Sequence, residues 1–263
     1  MLEVLEDIGR RLREEIKPQA PNVSEDGLPR GAGGDASHPV DIKAEKIILE
    51  GLEASGEPFD VISEEAGMLS LNGGGGRVVI IDPVDGSRNA VAGIPFYCTS
   101  IAVAEGPRLE DVRLAYVLNL ASGDEFWARA GGGAFLNGKP AATQADDIFR
   151  LVEFDAHVPG RDMPVLMPLL SEARKARCLG STALALSYLA AGSASLFTVP
   201  TRSRSFDFAA GWLLVKEAGG LFTDIEGNDP GHIELGLSHI STILASANAA
   251  LHEKALRLLG ARQ

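Results

Sequence analysis

Val78-Val79-Ile80-Ile81-Asp82-Pro83-Val84-Asp85-Gly86-Ser87 is the stretch on which the reading of this chain turns. Four β-branched residues in a row, with no polar alternation, predict a strand buried on both faces. Pro83 fixes its own φ and disfavours the helical region for Asp82, so the strand is expected to end at Asp82. Asp82 and Asp85 then flank a bend, close enough to share divalent cations, and the Val84 carbonyl can turn toward the same point. Gly86 and Ser87 open a short helical turn whose unpaired amides favour an anion. Hard oxygen ligands beside an anion cradle point to magnesium and a phosphate. Asp-Pro and Asp-Gly also build turns that only join strands, so the stretch alone leaves both readings open.

The whole chain narrows the choice. Its 263 residues suffice for one large domain or two modest ones with a sizeable core. A net charge of −12 argues against a nucleic-acid partner or an anionic membrane surface, both of which need basic protein surface. An acidic protein that handles phosphates must neutralise them locally, and bound cations do that. Cys98 and Cys178 are too few for a disulfide framework and form no close-spaced metal motif, so both are expected as small buried hydrophobes. The charged N-terminus lacks a signal-peptide core, and no run reaches the roughly 18–20 apolar residues of a membrane span. The expected compartment is cytoplasmic.

Outward from the Asp-Pro turn, elements alternate. Leu2, Leu5, Ile8, Leu12 and Ile16 recur at helical spacing in a first amphipathic helix. Lys17 to His38 is rich in Pro, Gly, Asp and Ser, a long loop in which Gly31, Gly33 and Gly34 suggest either a flap over a site or a plain connection. A second helix, from about Val40 to Ala54, is expected to bury Ile42, Ile47, Ile48 and Leu52, with Asp41 and Glu45 four apart and facing one way. Phe59–Ser63 reads as a strand ending at Glu64 and Glu65, and Asn72–Gly76 as a hairpin tip. Tyr97–Ala104, Val112–Leu120 and Asp124–Arg129 predict an antiparallel meander.

Beyond residue 150 the pattern changes: strands at Leu151–Phe154, Lys175–Leu179, Ser195–Val199, Leu221–Thr223 and Thr242–Ser246, with helices between them. Those helices are Pro164–Ala173, one capped by Ser181, one from Ser205 or Asp207 to Ala218, and Ala249–Leu259. The expected organisation is α+β, a 1–150 region carrying the acidic turn and a 151–263 region packed with it as one body.

Asp41, Glu64, Glu65, Asp82, Asp85 and Asp207 all fall at element ends. Any one of them is unremarkable. Brought together, carboxylates repel and raise one another's pKa, so such a cluster requires cations. Two or more magnesium ions bridging the set can activate a water and neutralise a phosphate.

The motifs resemble those of the inositol monophosphatase family, and within it the archaeal-type enzymes that also act on fructose 1,6-bisphosphate. Ser63-Glu64-Glu65-Ala66-Gly67 is one signature. The second is Ile81-Asp82-Pro83-Val84-Asp85-Gly86-Ser87, continuing through Asn89, Gly93 and Pro95. The third is Phe206-Asp207-Phe208-Ala209-Ala210-Gly211, running on to Glu217-Ala218-Gly219-Gly220. The resemblance implies a layered α/β/α/β/α sandwich, a likeness to homodimeric enzymes, and two or three Mg2+ per site. It implies that Glu64, Asp82 and the Val84 carbonyl hold one ion and that Asp82, Asp85 and Asp207 hold another, with Glu65 supporting from behind. Gly86 and Ser87 would offer amides to the phosphate. Ser87 stands where the family usually has Thr, and its hydroxyl, paired with Asp41, would orient the attacking water, so that Asp41, Glu64 and Ser87 form the catalytic set. Asp85, Gly180, Ser181 and Thr182 would meet the substrate. Where animal-type members carry a Glu for inositol hydroxyls, this chain has Pro200, followed by Arg202 and Arg204. Those two arginines are either surface residues or contacts to a second phosphate.

The expected activity is therefore hydrolysis of a phosphorylated sugar or cyclitol by cation-activated water. The alternatives are a 3′-phosphoadenosine-type or dinucleotide phosphatase, and a regulatory or RNA-associated protein that keeps the fold. Low aromatic content offers little for an adenine slot, and the acidic charge counts against RNA. The histidines match no ligand spacing, and no chemistry is expected of them.

Overall fold

The structure, a computed structural model, describes residues 1–16, 24 and 27–260. Two sheets organise it. The first has eight strands in the order β2 (Gly67–Leu71), β1 (Phe59–Ser63), β3 (Arg77–Asp85), β4 (Cys98–Ala104), β5 (Val112–Asn119), β6 (Glu125–Arg129), β7 (Gly133–Leu136) and β8 (Lys139–Ala141). From β3 onward it is the predicted meander, each strand antiparallel to the next. The second has five strands in the order β10 (Ala176–Arg177), β9 (Val152–Phe154), β11 (Leu196–Arg204), β13 (His239–Ser246) and β12 (Leu221–Thr223).

Helices fill the three remaining layers. On one face of the first sheet, α1 (Leu2–Glu15) and α2 (Pro39–Ala54) bury Leu5, Ile8, Leu12, Ile47, Ile48 and Leu52 against Val79, Ile81 and Tyr116. On its other face, α5 (Thr182–Ala190) and α6 (Ser205–Glu217) lie between the two sheets, packed with Ile80 and Ala102 on one side and Val199 and Ile243 on the other. The short α3 (Ser87–Ala92) follows β3, and α4 (Pro159–Leu170) and α7 (Ala249–Leu259) cover the outside of the second sheet. The result is the α/β/α/β/α sandwich. Helices α5 and α6 are apolar all round because both of their faces meet a sheet. They approach closely at Gly211, where an added Cβ would lie 2.4 Å from Leu186 Cδ1.

Val79 and Ile81 belong to one core and Ile80 to the other, as expected for a strand buried on both faces. Pro83 does not end that strand. β3 runs on to Asp85 across an irregularity in its pairing with β4 between Asp82 and Asp85. By then β1 has ended opposite Ile81, so the missing N–H of Pro83 breaks no ladder on that side.

Other expectations need correction. Asn72–Gly76 is not a hairpin tip, since β1 lies between β2 and β3; the hairpin is the one at Glu64–Ala66. Ile42 is 49% exposed rather than buried, and Cys178 is exposed while Cys98 is buried. The helix expected from Pro164 begins at Pro159, and β11 runs five residues past Val199, to Arg204. Residues 17–23, 25 and 26 of the predicted long loop lie outside the described residues. Among the described residues no helix is long and apolar enough to cross a membrane.

Candidate active site

The end of β3 delivers Asp82 and Asp85 to a cavity of about 510 Å³ between the two sheets. Thr99 Oγ1 donates to the Pro83 carbonyl at 2.8 Å and holds the irregular turn in place. Asp85 Oδ2 accepts from Ser181 Oγ and from the Ala183 amide, both at 2.6 Å, which binds the first sheet to the start of α5. Gly86 caps α3 with φ 87°, where an L side chain is strained and where a Cβ would sit 3.0 Å from the Phe96 carbonyl.

Glu64 and Glu65 enter at the turn after β1. Behind them Glu45 Oε1 accepts from the Ala66 amide at 2.9 Å and from Ser63 Oγ. Residues 31–36 lie across this turn: the Gly33 amide donates to the Glu64 carbonyl at 2.7 Å and the Ala32 amide to that of Glu65 at 3.0 Å. Arg204 pins the same strap from the second sheet. Its Nη1 donates to the Gly33 carbonyl at 2.9 Å and lies 2.7 Å from Asp35 Oδ2. Its Nη2 is 3.6 Å from both Glu64 Oε1 and Asp207 Oδ1. Asp207, the third residue of α6, reaches back to the Arg204 amide at 2.7 Å, as Asp41 does to the His38 amide in α2.

The opposite wall comes from the carboxyl ends of three neighbouring parallel strands. Asp155, Ala156 and His157 follow β9, Gly180 and Thr182 follow β10, and Arg204 closes β11. Crevices at the carboxyl ends of parallel strands are the usual ligand positions in such sheets.

The electrostatics of the cavity are those of crowded, buried acids. Burial pushes Glu64 up to about 8 and Asp85 to about 7, with Ser181 and Ala183 pulling Asp85 part of the way back. Asp82 rises well above the carboxylate range through burial, with Glu64, Asp85 and Asp207 adding to it. Asp207 also rises through burial, against the pull of Arg204. Asp82 Oδ1 is buried with no hydrogen-bond partner. An orphaned carboxylate oxygen among acids that resist ionisation is the environment a divalent cation relieves, and carboxylates with one backbone carbonyl make an all-oxygen donor set that suits Mg2+. The residues fit the ion. Among the described residues no three of them already close on one point, and the Arg204 guanidinium lies between Glu64 and Asp207.

Of the residues expected at the site, Glu64, Glu65, Asp82, Val84, Asp85, Gly86, Ser87, Gly180, Thr182, Arg204 and Asp207 line this cavity. Ser181 is buried behind it and holds Asp85 instead of facing a ligand. Arg202 is exposed and outside the lining; two residues apart on a regular strand the two arginines would share a face, but β11 shifts register against β13 between Val199 and Ser203 and again between Ser203 and Arg204. Asp41 is buried beside the site without lining it. The expected pairing with Ser87 is not made: one Asp41 oxygen is held by His38 and the other has no partner. Burial raises Asp41 to about 7. Asp35, His38, Arg88, Asp155, His157 and His239 line the cavity and were not anticipated as site residues. Only Asp155 carried a signal, an acid directly after a strand.

A model of the inositol monophosphatase family matches residues 2–263. The fructose-1,6-bisphosphatase/inositol-1-monophosphatase of Methanothermobacter thermautotrophicus is 36% identical over 239 residues, covering 87% of this chain and 85% of that protein. The enzyme of the same description from Archaeoglobus fulgidus is 32% identical, covering 98% and 97%. Among solved structures, the extragenic suppressor protein SuhB of Bartonella henselae superposes with a TM-score of 0.80 at 28% identity, covering 98% of each chain.

Proposed function

This chain belongs to the inositol monophosphatase family, and from that premise we propose that it is a magnesium-dependent phosphomonoesterase whose substrates are fructose 1,6-bisphosphate and inositol 1-phosphate. One observation carries the reading. Glu64, Asp82, Asp85 and Asp207 line a single cavity, and burial raises the pKa of all four.

Glu64, Asp82 and the Val84 carbonyl are the residues to hold one Mg2+, and Asp82, Asp85 and Asp207 those to hold another. Bound there, the ions would supply positive charge that offsets that of the phosphate and eases loss of a proton from the attacking water. The protein's own groups position the reactants. The Gly86 and Ser87 amides cradle the phosphate, and the Ser87 hydroxyl orients the attacking water. Ser181 and Ala183 fix Asp85 so that its free edge faces the cavity. Gly180 and Thr182 meet the organic part of the substrate.

Two other readings have less support. An adenine-bearing substrate calls for a stacking surface, and among the described residues lining the cavity there is no Phe, Tyr or Trp. A regulatory or RNA-associated role would have to operate on a chain of net charge −12.

Released phosphate, measured against magnesium concentration and in EDTA, tests the proposal. Sugar bisphosphate and inositol 1-phosphate should be hydrolysed only with the metal. No release at any magnesium concentration, or release confined to adenosine 3′,5′-bisphosphate or a dinucleotide, rejects it.

A further inference from the structure

A sugar bisphosphate brings a second phosphate that does not react and needs a hydrogen-bond donor of its own in the cavity. Arg202 is outside the cavity, Arg204 is committed to Asp35, Glu64 and Asp207, and Arg88, also in the lining, follows Ser87 in α3, on the side where the reacting phosphate is cradled. On the second-sheet wall stands His157, its side chain 39% exposed and lining the cavity. Its Nε2 lies 3.5 Å from Asp155 Oδ2. Asp155 is itself fixed, for Oδ1 accepts from the Ala156 amide at 2.7 Å and from Cys178 Sγ at 3.8 Å. A carboxylate held on two sides in this way sets the ring opposite it. Among the described residues no protein group hydrogen-bonds to His157 Nδ1, so that nitrogen is the ring's open donor.

Resting on the function proposed above, we propose that His157, set by Asp155, is the specificity residue that receives the second phosphate of a sugar bisphosphate. The pairing explains how one pocket can serve two substrate classes. Imidazolium and carboxylate together carry no net charge, so a polyol hydroxyl at this position meets no unbalanced cation. A phosphate at the same position takes a charge-assisted hydrogen bond from Nδ1, while Asp155, covered by its own donors, repels it little.

The test compares wild type with His157→Gln and His157→Arg on fructose 1,6-bisphosphate and on inositol 1-phosphate. Loss of one charge-assisted bond predicts that His157→Gln lowers the bisphosphate-to-monophosphate ratio of kcat/KM roughly tenfold, through KM, and that His157→Arg restores most of it. In parallel, the His157 imidazole resonance, assigned by its disappearance in His157→Gln, is followed in the calcium-loaded protein. It should move on adding fructose 1,6-bisphosphate and far less on adding inositol 1-phosphate. An equal loss on both substrates, no change in the ratio, or a resonance that responds to both ligands alike or to neither overturns the assignment. Wild-type turnover reports separately on the function. An inactive wild type rejects that function, and the resonance still decides whether His157 meets the bisphosphate.

Discussion

Ser181 Oγ donates to Asp85 Oδ2 at 2.6 Å, joining residues 96 apart in the chain and fastening the acidic turn of the first sheet to the helix that leads into the second. The same hydroxyl accepts from the Leu184 amide at 3.4 Å and caps α5. Ser181→Ala removes both contacts. It should lower stability by about 1–2 kcal/mol and let the Asp85 pKa climb further, moving the acid limb of the activity profile to higher pH. Ser181→Thr should restore both. A pH–rate profile and a thermal melt on the two variants check this, and an unmoved acid limb in Ser181→Ala would show that the bond has no part in setting Asp85.

Asp82 lies where three other acids oppose its ionisation, with one oxygen unpartnered. Asp82→Asn should therefore reduce phosphate release by at least about a hundredfold. In EDTA at neutral pH its melting temperature should equal or exceed that of the wild type, because the amide replaces a buried acid that the metal-free fold has to keep protonated. Near-normal turnover in the variant would place the metal chemistry elsewhere.

The raised acids also set a pH dependence. Asp41 and Asp85 stand near 7 against an ordinary 3.8, and Glu64 near 8 against 4.5. Between those values the folded protein binds more protons than the unfolded chain, so metal-free stability is full below about pH 4, falls as pH rises, and levels off above about pH 8. On the proposed function, magnesium should reverse the trend by binding the ionised form. Melting temperatures in EDTA should decline from pH 5.5 to 8, with a larger gain from magnesium at pH 8, by order-of-magnitude linkage. A metal-free melting temperature that climbs over this range contradicts the cluster as described.

Arg204 and Arg202 should behave differently despite their proximity. Arg204→Gln releases the Gly33–Asp35 strap and leaves Glu64 and Asp207 without their guanidinium. Partial exposure of Asp35 moderates the loss to about 2 kcal/mol in EDTA at pH 8, less once magnesium is present. Arg202→Gln should change neither stability nor KM. Matching melts for the two variants would remove the strap contact from the account.

Sequence alone determined the strand Val78–Ile81, the acids that follow it, the cap at Ser181 and the start of α6 near Ser205, and thereby the family and its layered architecture. These are local matters, since hydrophobic runs and capping spacing operate within a few residues. It could not place Arg202 outside the cavity and Arg204 inside it, because strand alternation puts both on one face and the register shifts of β11 against β13 arise only when the sheet forms. Nor did it show that Asp41 serves His38, that Asn72–Gly76 crosses over β1, or that Asp155 and His157 stand opposite Asp85. Each of those relations joins elements whose distance is fixed only when two sheets close on α5 and α6, and burial there decides which carboxylates resist ionisation and await a cation.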